Sequence, residues 1–175
     1  RDIYHGTTLT MKHSTPSTSN HRLLQEQLTA TNRTPNQWIS CGLVGADLTH
    51  WQCTLLGQGP YESGLFFVDI QFPSNYPSVP PQIKCTTKTY HPNISINDGS
   101  IDITDILKAG QDPAHETWSS AITVGRILEL LVVLWLEPNV KNHPAIYNAE
   151  FAKLYVNDRS KFNEYATSWT KQYAQ

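Results

Sequence analysis

Leu65-Phe66-Phe67-Val68-Asp69-Ile70-Gln71-Phe72-Pro73-Ser74-Asn75-Tyr76-Pro77-Ser78-Val79-Pro80-Pro81-Gln82-Ile83-Lys84-Cys85 decides the fold. Phe66, Val68, Ile70 and Phe72 recur at every second position, with Asp69 and Gln71 between them. Side chains of a strand alternate faces, so this run presents one apolar face to a core. Pro73, Pro77, Pro80 and Pro81 then interrupt regular structure, because proline lacks the N–H that a ladder or helix needs. Alternation resumes in Gln82–Thr86, where Ile83 and Cys85 oppose Lys84. The aromatic–proline pair Tyr76-Pro77 is a candidate cis bond.

Upstream, the same period appears twice more. Trp38–Val44 places Ile39, Cys41 and Leu43 in phase, and His50–Leu56 does so with Trp51, Cys53 and Leu55. The connections Gly45-Ala46-Asp47 and Gly57-Gln58-Gly59-Pro60 are short, as in an antiparallel meander. Before these strands, Asn20 is a plausible cap for a helix with Leu24, Leu28 and Thr31 at helical spacing, ended by Pro35. Residues 1–20, rich in Ser, Thr and His, read as a flexible extension, leaving one domain over 21–175.

Downstream, residues 90–119 have little periodicity and read as a long ordered loop, which in a compact domain usually serves function. Within it, Lys108–Glu116 has the look of a surface insertion. Ser120 or Thr123 caps the next helix, whose Ile127, Leu130, Leu131 and Leu134 form a stripe widened by Leu128 and Val132. Pro138 ends it. Pro144 opens another helix running to about Val156, with Ile146, Phe151 and Leu154 as apolar positions. Asp158 caps a last one, with Phe162, Tyr165, Trp169 and Tyr173 along one side. The order predicts an α+β fold: an N-terminal helix, a four-stranded antiparallel meander sheet, a central helix and two C-terminal helices.

Composition narrows the function. A net charge of −2 gives no electrostatic reason to expect nucleic acid or an anionic membrane. The longest apolar run, Leu130 to Leu136, is too short for a bilayer span. Nothing in the first residues reads as a secretory signal. Three cysteines without a close pair suggest neither a disulfide framework nor a zinc site, and the expectation is a reducing, intracellular setting in cytoplasm or nucleus. All three fall in core phase, where a thiol is inert. No metal and no cofactor is expected.

The candidate site is Tyr90-His91-Pro92-Asn93, followed by Gly99-Ser100-Ile101-Asp102. Together with Tyr61-Glu62-Ser63-Gly64-Leu65-Phe66-Phe67, Phe72–Pro81, Trp118-Ser119, Glu137-Pro138-Asn139 and Trp169–Tyr173, these words resemble the ubiquitin-conjugating enzymes over roughly residues 21–174. In that family a cysteine after a Gly-Ser-Ile-like phrase carries ubiquitin as a thioester. Here Asp102 stands at its position. The segment between Asn93 and Asp102 is one residue longer than the family's, as is the stretch after Asp102.

The resemblance implies roles for further residues. It gives Asn93 the place of an oxyanion donor, or of a brace for its loop, and His91 that of a structural hydrogen-bonder. His143 lies near a position where an acidic residue often assists lysine deprotonation, and is a candidate base or a plain surface histidine. Arg22 matches a basic contact to the activating enzyme, while Glu26 reverses a charge on the same helix. Ser78 stands where the family often presents a phenylalanine to ligases, and Trp118 and Ser119 lie at the second ligase-contact loop, where Ser119-Ser120-Ala121 replaces the usual Ser-Pro-Ala. Ser40 matches the centre of the family's rear ubiquitin-binding face.

Asp102 cannot replace a thiol. A carboxylate of pKa about 3.9 is a poor nucleophile toward a thioester whose leaving thiol has pKa about 8.5. The implied function is therefore a catalytically inactive relative in the ubiquitin pathway, with no catalytic residue expected. It would bind ubiquitin or a ubiquitin-like protein, an active conjugating enzyme or a ligase. Two alternatives stay open: an active conjugating enzyme that forms a ubiquitin adduct, and an interaction scaffold independent of ubiquitin.

Overall fold

A computed structural model describes residues 18–32, 37–109, 117–141 and 147–175. Among them the chain runs α1 (Thr18–Asn32), β1 (Ile39–Val44), β2 (Asp47–Leu56), a 3-10 turn at Gly59–Tyr61, β3 (Leu65–Gln71), β4 (Gln82–Cys85), β5 (Ser100–Ile101), α2 (Ile103–Ala109), α3 (Val124–Leu136), α4 (Ala149–Asn157) and α5 (Arg159–Tyr173). The strands form one antiparallel sheet in the order β1-β2-β3-β4-β5. The α+β class and the meander are as expected. The sheet has a fifth strand where four were expected, because the two-residue β5 pairs Ile101 with Ile83 and Ser100 with Lys84.

The core side of the sheet is the phase read from the sequence. Trp51, Cys53, Leu55, Phe66, Val68, Ile70, Phe72, Ile83 and Cys85 are buried. On β1 only Ile39 is fully covered, and Cys41 and Leu43 are half-buried. An edge strand has a neighbour on one side only, so its inward side chains gain less cover. Against this face lies α3, with Ile127, Leu130, Leu131 and Leu134 buried. Thr123 caps α3 by accepting the Arg126 N–H. Tyr76-Pro77 is cis, and Tyr76 packs edge-on to Phe72 with centroids 4.8 Å apart. Asp158 caps α5 through the Lys161 N–H at 3.0 Å.

Several expectations are corrected. α1 begins at Thr18, before Asn20, and its inward side chains are Leu23 and Glu26; Leu24 and Leu28 are exposed. The anticipated surface charge Glu26 is buried. Its carboxylate pairs with Arg22, accepts the Tyr76 hydroxyl at 2.8 Å and accepts the Val124 N–H at the first residue of α3. A carboxylate is favoured there, because the first N–H groups of a helix lack intrahelical partners and carry partial positive charge. α4 starts at Ala149; the proposed start Pro144, with Ile146, lies outside the described residues, as does most of the Lys108–Glu116 stretch. The inward stripe of α5 is Phe162, Ala166 and Thr170, with Tyr165 and Tyr173 exposed.

The cysteines are also corrected. Cys41 and Cys53 face each other across β1 and β2 and form a disulfide, with Cα atoms 4.0 Å apart. Leu56 N–H donates to the Trp38 carbonyl at 2.7 Å. Counting from that bonded pair, Cys41 and Cys53 fall at a non-hydrogen-bonded position, where antiparallel strands bring side chains closest. Sequence separation hides such a pair until the register is known.

Candidate functional site

The segment after β4 is pinned from several sides. Tyr90 stacks on Phe151 at 3.8 Å between centroids and meets Phe162 and Trp169, each at 5.4 Å. Its carbonyl accepts the buried Tyr61 hydroxyl at 2.8 Å. His91 is fully buried. One ring nitrogen, Nε2, lies 2.9 Å from the Leu134 carbonyl, and Nδ1 accepts the Asn93 N–H at 3.0 Å. These partners require a neutral ring with its proton on Nε2. Burial pushes its pKa down to about 4, against a smaller upward pull from the Leu134 carbonyl.

Asn93 is equally enclosed. Its side-chain N–H donates to the Asn139 carbonyl, and its side-chain oxygen accepts the Asn139 N–H, each at 2.9 Å. The Asn139 side chain in turn donates to the buried Asp105 at 3.2 Å. Asn148 completes the brace by donating to the carbonyls of His91 and Ile94 at 3.0 and 2.6 Å. The sequence reading gives Asn139 only as part of the Glu137-Pro138-Asn139 word, and gives no role to Asn148 or Asp105. Asparagines flanking Pro138 and the start of α4 are a faint signal for them, since such residues favour bonds to backbone.

Beyond Asn93 the chain makes a tight loop. Gly99 N–H donates to the Ser95 carbonyl at 2.8 Å, and Ser95 N–H to the Ser100 carbonyl at 2.9 Å. Gly99 sits at φ 73°, and a Cβ there would collide with the Cys85 carbonyl. That left-handed conformation and close approach suit glycine. The Asp98 side chain accepts the Ser100 hydroxyl at 2.7 Å, and its pKa is lowered to about 2 mainly by that bond.

Asp102 follows β5 directly and starts α2. Its Oδ1 accepts the Thr104 N–H at 2.7 Å, and its carbonyl accepts the Asp105 and Ile106 N–H groups at 3.0 and 3.3 Å. That is the geometry of a helix N-cap. Asp102 is partly exposed. Tyr147, itself exposed, stands within the field of Asp102, Asp105 and Asp98; its phenol pKa is raised by desolvation first and by these carboxylates next. His143 lies outside the described residues.

The three cysteines of the chain are accounted for. Cys41 and Cys53 are bonded, and Cys85 is buried with its thiol pushed up to about 11 by desolvation. Its sulfur lies 3.1 Å from the Thr87 carbonyl and 3.4 Å from the Thr89 hydroxyl.

The partner-contact positions divide into two groups. Ser78, Trp118 and Ser119 come together: Trp118 Nε1 and the Ser120 hydroxyl both donate to the Pro77 carbonyl, at 2.9 and 3.2 Å. Ser78 and Ser119 are exposed beside that junction. Arg22 reaches the same end, donating to the Ile122 carbonyl at 3.4 Å, but its main partner is Glu26 within the chain. Ser40 lies elsewhere, exposed on the outer face of the sheet. Ser40, Thr54 and Phe67 form one row across β1, β2 and β3, with Leu56 opposite Leu65 beside it. Phe67, Leu56 and Leu65 are each about two-fifths exposed. Phe67 is apolar in the outward phase of an otherwise alternating strand, which is the signal that could have found this patch.

The model of the family described as ubiquitin-conjugating enzyme matches residues 23–170. The chain belongs to the ubiquitin-conjugating enzyme family. Similar solved structures agree. The E2 domain of a Toxoplasma gondii ubiquitin conjugating enzyme is 32% identical with a TM-score of 0.71, the match covering 89% of this chain and 98% of that one. A Plasmodium yoelii protein described as a ubiquitin conjugating enzyme is 31% identical with a TM-score of 0.75, covering 92% and 98%. In this chain the Tyr90-His91-Pro92-Asn93 segment is folded and braced, and Asp102 caps α2.

Proposed function

We propose that this chain is a non-catalytic, intracellular member of the ubiquitin-conjugating enzyme family that binds ubiquitin or a partner of the conjugation machinery without carrying ubiquitin itself. The observation that carries the reading is the fate of the thiols. Two are joined to each other, the third is buried and held protonated, and Asp102, which the resemblance sets at the nucleophile's position, is a carboxylate engaged at a helix start. A thioester at this site needs a thiolate there, and none of the three cysteines lies in the segment from Asn93 to Asp102.

Binding is supported by surfaces away from Asp102. The outer sheet face offers Ser40 and Thr54 beside the apolar side chains of Leu56, Leu65 and Phe67. Such a mixed patch suits a modest protein interface. The end carrying Ser78, Trp118 and Ser119 offers a second, fixed by the Pro77 carbonyl.

Titration of isotope-labelled ubiquitin with the full chain tests the reading. Expected are saturable shifts that disappear in Ser40→Arg while the variant stays folded. No shift at millimolar protein would favour a scaffold that does not use ubiquitin.

A further inference from the structure

Cys41, Cys53, Val68 and Cys85 form one row across four adjacent strands on the core side of the sheet. Cys41 and Cys53 are immediate neighbours and bonded. Cys85 stands two strands beyond Cys53 with Val68 between. At roughly 4.8 Å per strand it is about 10 Å away, outside the Cα separation that a disulfide spans. The row therefore allows one pairing.

We propose that Cys41 and Cys53 are a reversible dithiol–disulfide pair, a redox modification site that clamps edge strand β1 to the sheet. β1 has a strand neighbour on one side only, and its register with β2 shifts between Leu43 and Val44. The cross-link ties the middle of β1 to the buried centre of β2 and closes the turn through Gly45 and Ala46, twelve residues apart in sequence. A link across a short loop lowers the freedom of the opened chain. Ser40 precedes Cys41 and faces the opposite side, so the pair sets the firmness of the outer face without occupying it.

The two sulfurs differ in access: Cys41 is half-buried and Cys53 fully buried. A thiolate reductant attacks the Cys41 sulfur, forming a mixed disulfide there and releasing Cys53, which takes up a proton. A second reductant thiolate then displaces Cys41, leaving two protein thiols and one oxidised reductant. Oxidised glutathione reverses the sequence: the Cys41 thiolate forms a mixed disulfide, the Cys53 thiolate displaces glutathione, and two reduced glutathione molecules leave.

The full chain is equilibrated across ratios of reduced to oxidised glutathione, quenched with acid and alkylated in denaturant, and its mass and peptides are read. One alkylated cysteine, Cys85, is expected on the oxidising side and three on the reducing side, with the change reversible. Three at every ratio, or a link that includes Cys85, would overturn the proposal. Hydrogen exchange then reads the clamp. The Ser40 and Gly42 amides, which face β2, should exchange at least about tenfold faster in the reduced chain. Cys41→Ser/Cys53→Ser should exchange at the reduced rate in both buffers. Equal exchange in oxidised and reduced wild-type chain would refute the clamp even if the double variant does not fold.

Discussion

Asp102 Oδ1 accepts the Thr104 N–H at 2.7 Å, so Asp102 is the N-cap of α2. The aspartate has a use of its own there. Capping by Asp, Asn or Ser is worth about 1 kcal/mol over alanine. Asp102→Ala is expected to lower stability by about that much in urea denaturation, and Asp102→Asn by only a few tenths. Asp102→Cys should behave like Asp102→Ala, since cysteine is a weak acceptor. Equal stability across these variants would show that the cap contributes nothing.

Asn93 and Asn139 exchange two hydrogen bonds in a site closed to solvent on the Asn93 side. Asn93→Ala removes both bonds to the half-buried Asn139 backbone, each worth about 1 kcal/mol. The variant is expected to lose about 1–2 kcal/mol, with faster exchange of the Asn139 amide. Wild-type stability in the variant would mean that the exchange is not a brace.

His91 supplies a pH dependence with a definite sign. Its folded pKa is about 4, below the ordinary histidine value of about 6.5 that the unfolded chain has. The unfolded state therefore binds the extra proton first. This contribution is complete above pH 6.5 and is lost as pH falls toward 4, a change of about 3 kcal/mol across that window. Denaturation midpoints measured between pH 7 and 4 should fall accordingly. The slope assigned to this residue should vanish in a folded His91→Gln variant; an unchanged slope would place the titration elsewhere.

Glu26 and Arg22 should prove unequal. Glu26 is buried and holds Arg22, Tyr76 and the start of α3, whereas Arg22 is about one-third exposed. Glu26→Ala leaves a buried hydroxyl and a helix-start N–H without their acceptor, an expected loss of about 3 kcal/mol. Arg22→Ala should cost about 1 kcal/mol, as solvent screens the exposed partner. Comparable losses from calorimetry would contradict this assignment.

What was legible in the sequence follows from signal length. The strand phases, the stripe of α3 and the caps Thr123 and Asp158 were readable because each rests on period or on a local bond. β5 and α2 were not: two residues show no alternation, and seven barely complete two turns. Asp102 before Ile103, Ile106 and Leu107 is the available hint, since an aspartate ahead of an apolar run is a cap signal. Glu26 and the Cys41–Cys53 bond depend on tertiary placement. A glutamate on a helix is ordinarily solvated, and a cross-strand cysteine pair is visible only once register is set. Leu24 and Leu28 misled for a related reason, since helical spacing alone does not distinguish the core face from a neighbouring one.

The most direct measurement incubates the full chain with activating enzyme, ATP and ubiquitin, and reads intact mass and a nonreducing gel. The expected result is a chain of unmodified mass while a cysteine-bearing conjugating enzyme charges in parallel. A ubiquitin adduct removed by dithiothreitol would contradict the account.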